Sequence, residues 1–108
     1  MEIVIINLIF LGGKVYSQVI VSYDIEDNKL RKKLFDELKN LGLIPIQKSV
    51  FWGYVLTSEK RVIKTLFKKY CQDSDKAFLV NVNLDNNLEY TFGYKKEDFI
   101  HPESFEII

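Results

Sequence analysis

The sequence predicts one small α+β domain in which strands and helices follow one another in the order βαββαβ. Two basic stretches with helical spacing of their apolar residues alternate with runs of β-branched and aromatic residues, and no repeat interrupts this alternation. The chain has 108 residues, the length of one domain, and 47% of them are hydrophobic, which excludes an intrinsically disordered chain. We therefore expect strands and helices to share one core.

The first strand is predicted over residues 18–25, because this near-continuous apolar run is typical of a central strand that is buried on both faces. The run ends in Tyr23 and Asp24, so a carboxylate lies where the strand leaves the sheet. Residues 26–28 are acidic or carry an amide, and they suit the N-cap of a helix because a helix N-terminus favours negative charge.

Two amphipathic helices are predicted. The first covers residues 29–41, where leucines recur at spacings of four, four and three residues, and Gly42 with Pro45 ends it. The second helix follows an N-cap in residues 57–59 and includes Cys71 as a small apolar residue. One face of each helix is apolar and the rest carries lysine and arginine, so we expect that face to pack on a sheet.

The remaining strands complete a ferredoxin-like sandwich, an antiparallel sheet with two helices on one face. Residues 44–56 form a pair of strands with a turn at 48–49 or at 52–53, and residues 77–84 form the last strand of the unit. Residues 88–94 alternate like an additional C-terminal strand. The second sheet face is too apolar to stay open, so we expect a homodimer in which two sheets stack.

The chain divides into three parts. Residues 18–84 are the ferredoxin-like domain, and residues 85–108 hold the C-terminal strand and an acidic, aromatic tail that suits docking on another protein. Residues 1–17 are an atypical leader, in which Gly12 and Gly13 separate the apolar run from the first strand. The leader is an added edge strand, a poorly ordered arm or upstream sequence read through from an early start codon, and the last two are favoured.

Neither a membrane segment nor a secretory signal is expected. The apolar run 3–11 is too short to span a bilayer and has no basic segment before it. Cys71 is the only cysteine, so no internal disulfide can form. We expect a cytoplasmic protein.

The zero net charge hides a segregation of charges. Residues 29–69 hold eleven bases and three acids, a net +8, while residues 1–28 carry −3 and residues 70–108 carry −5. The basic centre is either a pair of solvated helix faces or a surface that binds a polyanion. The nucleic-acid contacts expected in the second case are Lys29, Arg31, Lys32, Lys33, Lys60, Arg61 and Lys64.

Few residues offer chemistry. The single histidine, His101, lies in the acidic tail, so neither a zinc site nor a Ser-His-Asp system is available, and no glycine-rich phosphate loop is present. Asp24 remains as a candidate, at the end of a strand and beside strong turn signals. The alternative is that Asp24 only caps the first helix.

Three segments resemble the family of the small CRISPR-associated endonuclease Cas2, the partner of the CRISPR integrase in acquiring spacers. They are Val-Ser-Tyr-Asp-Ile at 21–25, the Arg31-bearing helix that ends in Leu-Gly-Leu at 41–43, and the segment 47–57 that begins Gln-Lys-Ser-Val-Phe-Trp-Gly. The resemblance covers about residues 18–84. Residues 1–17 depart from the pattern, because these proteins usually begin at the first strand.

The resemblance implies that Asp24 is a metal-binding acid that faces its symmetry mate in a dimer, with Mg²⁺ as the cofactor and Mn²⁺ as the alternative. It also associates Tyr23, Arg31, Ser49 and Phe51 with activity. From the residues alone, Phe51 is equally a core residue and Ser49 an ordinary strand residue.

Three functions are consistent with these features. The first is a metal-dependent endonuclease that cuts RNA or DNA at the dimer seam. The second is a non-catalytic adaptor, which bridges integrase dimers and holds duplex DNA on its basic helices. The third is a related ferredoxin-like ribonuclease of the toxin type. The nucleic-acid partner is expected to be duplex DNA, with single-stranded RNA as the alternative.

Overall fold

The computed structural model describes residues 8–99, and this part of the chain contains five strands and two α-helices. Their bounds are β1 Leu8–Leu11, β2 Lys14–Asp24, α1 Asn28–Asn40, β3 Ile44–Gln47, β4 Val50–Leu56, α2 Thr57–Tyr70 and β5 Lys76–Asn81, with a short 3-10 helix at Lys96–Asp98. No helix within residues 8–99 has the length and the apolar character needed to cross a membrane.

Strands β2 and β4 lie side by side at the centre of an antiparallel sheet. β3 pairs with the other edge of β4 and β5 with the other edge of β2, which gives the order β5-β2-β4-β3. Both helices pack on one face of this sheet, around fully buried side chains that include Val21, Leu34, Phe51 and Ile63. The predicted ferredoxin-like sandwich is confirmed.

The leader contributes an edge strand. The chain reverses at Gly12 and Gly13, whose φ angles of 57° and 78° lie in the left-handed region, and β1 then pairs with residues 14–17 of β2. Of the three alternatives for the leader, the structure supports the added strand for residues 8–11, and β2 begins at Lys14 rather than at residue 18. Residues 8–17 are therefore described as a hairpin of β1 with the start of β2, while residues 1–7 lie outside the described part.

The predicted C-terminal strand over residues 88–94 is wrong. Thr91 donates a backbone hydrogen bond to the Leu88 carbonyl at 3.1 Å, and Gly93 has a φ of 87°, so the chain turns here. The free edge of β2 is shared by β1 and β5, which leaves no place beside it for a further strand. The alternating pattern instead places Tyr94 against the sheet, where its hydroxyl donates to the Ile46 carbonyl at 3.1 Å.

The structure decides between the two predicted places for the turn between β3 and β4, and it moves the start of α2 toward the N-terminus. The turn between β3 and β4 lies at Lys48 and Ser49, one of the two predicted places, and Ser49 has a φ of 63°. Helix α2 begins at Thr57, earlier than its predicted N-cap, because the Glu59 carboxylate accepts a hydrogen bond from the Leu56 N–H at 2.8 Å.

The sheet face away from the helices is covered on its β4 side by the segment that follows β5. Gln18 is fully buried there, and its side-chain oxygen accepts hydrogen bonds from Trp52 Nε1 at 2.8 Å and from the N–H groups of Leu84 at 2.7 Å and Asp85 at 3.1 Å. Phe99 packs edge-on against Trp52, with ring centroids 4.9 Å apart. This buried polar cluster fixes the segment on the sheet.

Candidate functional site

Asp24 is the last residue of β2 and is exposed to solvent. The strand register places Asp24 opposite Lys76, Ser22 opposite Phe78 and Ile20 opposite Val80. Because cross-strand partners and alternate residues share a face, Asp24, Phe78 and Val80 all lie on the sheet face away from the helices. The candidate acid therefore lies at the end of an apolar strip on the β5 side of that face.

Asp24 does not cap helix α1. That role belongs to Asp27, whose carboxylate accepts a hydrogen bond from the Leu30 N–H at 2.9 Å. The alternative that Asp24 only caps the first helix is therefore excluded.

Tyr23 points to the helix side of the sheet and is 5% exposed. Burial raises the pKa of its phenol, while a hydrogen bond with the Ser49 side chain and the charge of Arg31 oppose the shift. Its N–H donates to the Ser49 carbonyl at 3.2 Å. Tyr23 thus remains protonated at neutral pH and links the end of β2 to the turn between β3 and β4.

Arg31 fixes the loop between β2 and α1. Its guanidinium donates to the Ile25 carbonyl at 2.7 Å and to the Glu26 carbonyl at 3.4 Å, and it also bonds the side-chain oxygen of Asn28. Within residues 8–99, no carboxylate forms an ion pair with Arg31. Arg31 therefore holds the loop in place and keeps its positive charge uncompensated.

The structure places Ser49 in a turn and Phe51 in the core, which is one of the two positions expected for Phe51. Ser49 is a turn residue rather than an ordinary strand residue. Phe51 is fully buried between Tyr23, at a ring-centroid distance of 6.3 Å, and Phe35, at 5.1 Å. The Phe51 ring therefore supports the site from the core, and direct contact with a substrate is ruled out in this conformation.

An open cavity of about 370 Å³ brings Tyr23, Arg31 and Ser49 together. Lys32, an expected nucleic-acid contact, also lines this cavity, and sequence reasoning missed the other lining residues, which are Asn28, Phe35 and Lys48. The helical residues Asn28 and Phe35 could have been predicted from their spacing, because residues three and four positions from Arg31 share its face of α1. The cavity and the Asp24 carboxylate lie on opposite faces of the sheet.

Metal ligands are sparse within one copy of the chain. Among the described residues, no group of three or more His, Cys, Asp or Glu side chains could hold a metal ion. Asp27 and Asp75 are engaged in backbone hydrogen bonds of the neighbouring loops. A site for a hard cation at Asp24 therefore needs oxygen ligands from outside one copy.

The basic residues expected to contact nucleic acid lie on the helix side of the molecule. Most are exposed, although Lys60 is half-buried and its Nζ donates to Asn81 Oδ1 at 3.0 Å. Lys32 forms an exposed ion pair with Asp36 at 3.0 Å, and such pairs offset little charge. The exposed ones besides Lys32 are Lys29, Lys33, Arg61 and Lys64.

The antiparallel sheet with two helices on one face places the chain in the class of small ferredoxin-like α+β proteins. The family model described as CRISPR associated protein Cas2 matches residues 17–87, about two thirds of the chain. The chain belongs to this family. The match begins within β2, so β1 and its glycine turn precede it.

Named relatives agree with this assignment. The chain is 45% identical over 83 residues to "CRISPR-associated endoribonuclease Cas2 1" of Francisella tularensis subsp. novicida, covering 76% of this chain and 86% of the relative. It is 40% identical over 58 residues to "CRISPR-associated endoribonuclease Cas2" of Korarchaeum cryptofilum, covering 54% of this chain and 60% of the relative. These names support a CRISPR-associated nuclease.

A solved structure shows the same fold. The crystal structure described as that of cas2 superposes with a TM-score of 0.56 at 22% identity, covering 63% of this chain and 76% of the solved one.

Proposed function

We propose that this chain is a metal-dependent endonuclease that acts as a homodimer, with one Asp24 from each copy at the dimer seam. The observation that carries the proposal is the placement of Asp24 on the same sheet face as an uncovered apolar strip. The relatives' names make RNA the first substrate to test, and DNA the second.

The dimer is argued from the β5 side of the outer sheet face. Phe78 and Val80 are 52% and 45% exposed there, next to Ile20. A groove of about 330 Å³ continues the strip, and the buried Oδ1 atom of Asn83 in its wall has no hydrogen-bond partner among the described residues. A second copy would remove the apolar strip from water and could supply a donor for this oxygen.

A dimer through this face would bring two Asp24 carboxylates together. Two unit charges about 4 Å apart repel by about 4 kcal/mol at an effective dielectric constant near 20, so such a pair must take up a proton or a cation. Carboxylate oxygens suit Mg²⁺ and Mn²⁺, and a bound divalent cation would supply a water of lowered pKa for attack on a phosphodiester. The two copies together would thus provide the ligands that one copy lacks.

The dimer is tested with a matched pair of valine substitutions. Val80→Lys places a charge in the apolar strip, whereas Val62→Lys places one on the outer side of α2, and both valines are 45% exposed. In analytical ultracentrifugation we expect Val80→Lys to be a monomer and Val62→Lys to remain a dimer. The Val80→Lys monomer should not cleave nucleic acid. A dimer of wild-type affinity for Val80→Lys would overturn the proposed interface.

A second function, as an adaptor that holds duplex DNA, is favoured by the basic helices lying on the face opposite Asp24. Phosphate contacts release counterions, so the affinity should fall with salt at a log-log slope of about −0.9 per phosphate neutralised. Replacing Lys60, Arg61 and Lys64 together with Glu should weaken binding to duplex DNA of any sequence. Lys95→Glu, on the tail, is the control and should leave this binding unchanged. A dissociation constant independent of salt would refute this function.

We further propose that the tail contacts the integrase, so that the dimer can bridge two integrase dimers. Tyr90 and Phe92 are 88% and 98% exposed on the segment after β5. Aromatic side chains of this kind often anchor protein interfaces. The variant carrying Tyr90→Ser and Phe92→Ser should lose binding to the purified cognate integrase while keeping its fold, and unchanged affinity would exclude this contact.

The family match argues against the third hypothesis, a toxin-type ribonuclease that acts alone.

A further inference from the structure

The cavity beside Tyr23 lies on the helix side of the sheet, away from the Asp24 seam. The first turns of α1 form one wall, and the turn between β3 and β4 forms the other. Its volume of about 370 Å³ falls within the usual range of about 300–1,000 Å³ for small-ligand pockets. The cavity is therefore large enough to hold a small ligand or one unit of a polymer.

The charge of the cavity favours an anion. Arg31, Lys32 and Lys48 line it, and within residues 8–99 neither Arg31 nor Lys48 forms an ion pair with a carboxylate. Arg31 is half-buried, and its hydrogen bonds go to neutral oxygens, which leave its charge uncompensated. A partly desolvated guanidinium next to lysine is a setting that phosphate groups bind well.

The remaining lining residues favour a ligand with an aromatic part. Phe35 is half-buried and packs edge-on against Phe51, with an interplanar angle of 65°. Tyr23, Ser49 and Asn28 add hydroxyl and amide groups that can bond a sugar or a base edge. A nucleotide carries a phosphate, a sugar and a base with a π-face, whereas an inorganic anion uses only the cationic part of this lining.

We infer that this cavity binds one unpaired nucleotide, with its phosphate toward Arg31 and Lys48 and its base against Phe35. A base within a duplex is stacked and paired, so only a single-stranded or free nucleotide can enter. This inference goes beyond the proposed function, because it adds a nucleotide-binding site on the sheet face opposite Asp24. The Asp24 carboxylate takes no part in it, so binding and cleavage can be tested separately.

The test is a titration of the full chain, carrying Asp24→Asn to prevent cleavage, followed by amide NMR. Adenosine 5′-monophosphate should shift the amides of Asn28, Lys48 and Ser49 saturably, while inorganic phosphate and adenosine should each bind at least about tenfold more weakly. A single-stranded oligonucleotide that shifts the same amides identifies a strand as the source, whereas shifts from the mononucleotide alone identify a free nucleotide. A blunt duplex should leave the Ser49 amide unmoved.

Matched variants localise the binding. Lys48→Gln and Phe35→Leu should each weaken nucleotide binding by about fivefold or more, and Lys68→Gln on the exposed side of α2 should leave it unchanged. Inorganic phosphate that binds as tightly as the nucleotide, or pocket amides that never move, would overturn the inference. If the wild type binds the nucleotide but cleaves no nucleic acid, the proposed nuclease activity is refuted and the nucleotide site is not. If the wild type cleaves nucleic acid but binds no nucleotide in the cavity, only the nucleotide site is refuted.

Discussion

Replacement of Gln18 by leucine is expected to release the segment after β5 from the sheet. The Gln18 side-chain oxygen accepts three hydrogen bonds, at 2.8, 2.7 and 3.1 Å, from Trp52 Nε1 and from the N–H groups of Leu84 and Asp85. Its amide nitrogen donates to Asp85 Oδ1 at 3.0 Å and to the Tyr54 hydroxyl at 3.2 Å. Leucine has a similar size and can make none of these bonds.

The magnitude is set by the donors left behind. Trp52 is fully buried and Asp85 is 3% exposed, so two buried N–H groups lose their acceptor at about 1–3 kcal/mol each. The added apolar surface returns about 1 kcal/mol. The free energy of unfolding should therefore fall by about 3 kcal/mol, which lowers the urea midpoint by about 2 M at a slope of about 1.5 kcal/mol per molar.

Urea unfolding and amide hydrogen exchange measure this effect. The Leu84 and Asp85 amides should be protected in the wild type and exchange freely in Gln18→Leu. Gln47→Leu, the same substitution at an exposed position on β3, is the control and should leave both readouts unchanged. A Gln18→Leu midpoint equal to that of the wild type, with both amides still protected, would refute the reasoning.

Two further predictions concern the core and the pH dependence. A Cβ at Gly53 would lie 2.7 Å from Leu43 Cδ2 and 3.4 Å from Leu43 Cα, so Gly53→Ala should lower the free energy of unfolding by about 1–3 kcal/mol; a urea midpoint equal to the wild type would contradict this close packing. Burial raises the pKa of Tyr23 from 10.0, so the unfolded chain releases this proton at lower pH than the folded chain. The stability that the neutral phenol contributes is therefore present below about pH 10 and is lost as the pH rises through the folded pKa. Tyr23→Phe should lose less stability than the wild type in this alkaline range, and parallel losses in thermal melts would contradict the assignment.

The sequence was sufficient for those parts of the fold that local patterns determine. The leucine spacing of α1, the cap at residues 26–28 and the order βαββαβ each result from periodicity and turn chemistry, and the structure has them. The hairpin turn at Lys48–Ser49 was one of two predicted places, because no Asn-Gly or Asp-Gly pair marks it.

The remaining features depend on contacts between distant residues. An alternating pattern at 88–94 cannot reveal that β1 and β5 already share the free edge of β2, and a leader with a glycine pair reads equally as an arm or as a hairpin. Phe51 was a site residue by resemblance and is a core residue by packing. The residues that face the cavity from two walls become neighbours only after folding, as Phe35 and Lys48 do.

The central claim is that Asp24 is required for metal-dependent cleavage of nucleic acid. A cleavage assay of the Asp24→Asn variant tests this claim most directly, because the substitution keeps the size of the side chain and removes its charge. With Mg²⁺ present, the wild type should cut RNA or DNA and lose this activity with a chelator, while Asp24→Asn should cut neither at any metal concentration. The dimer mass and the duplex affinity of the variant should stay unchanged, and Asp73→Asn, at an exposed acid outside the site, should remain active. Purified Asp24→Asn that cuts nucleic acid at the wild-type rate would contradict the account.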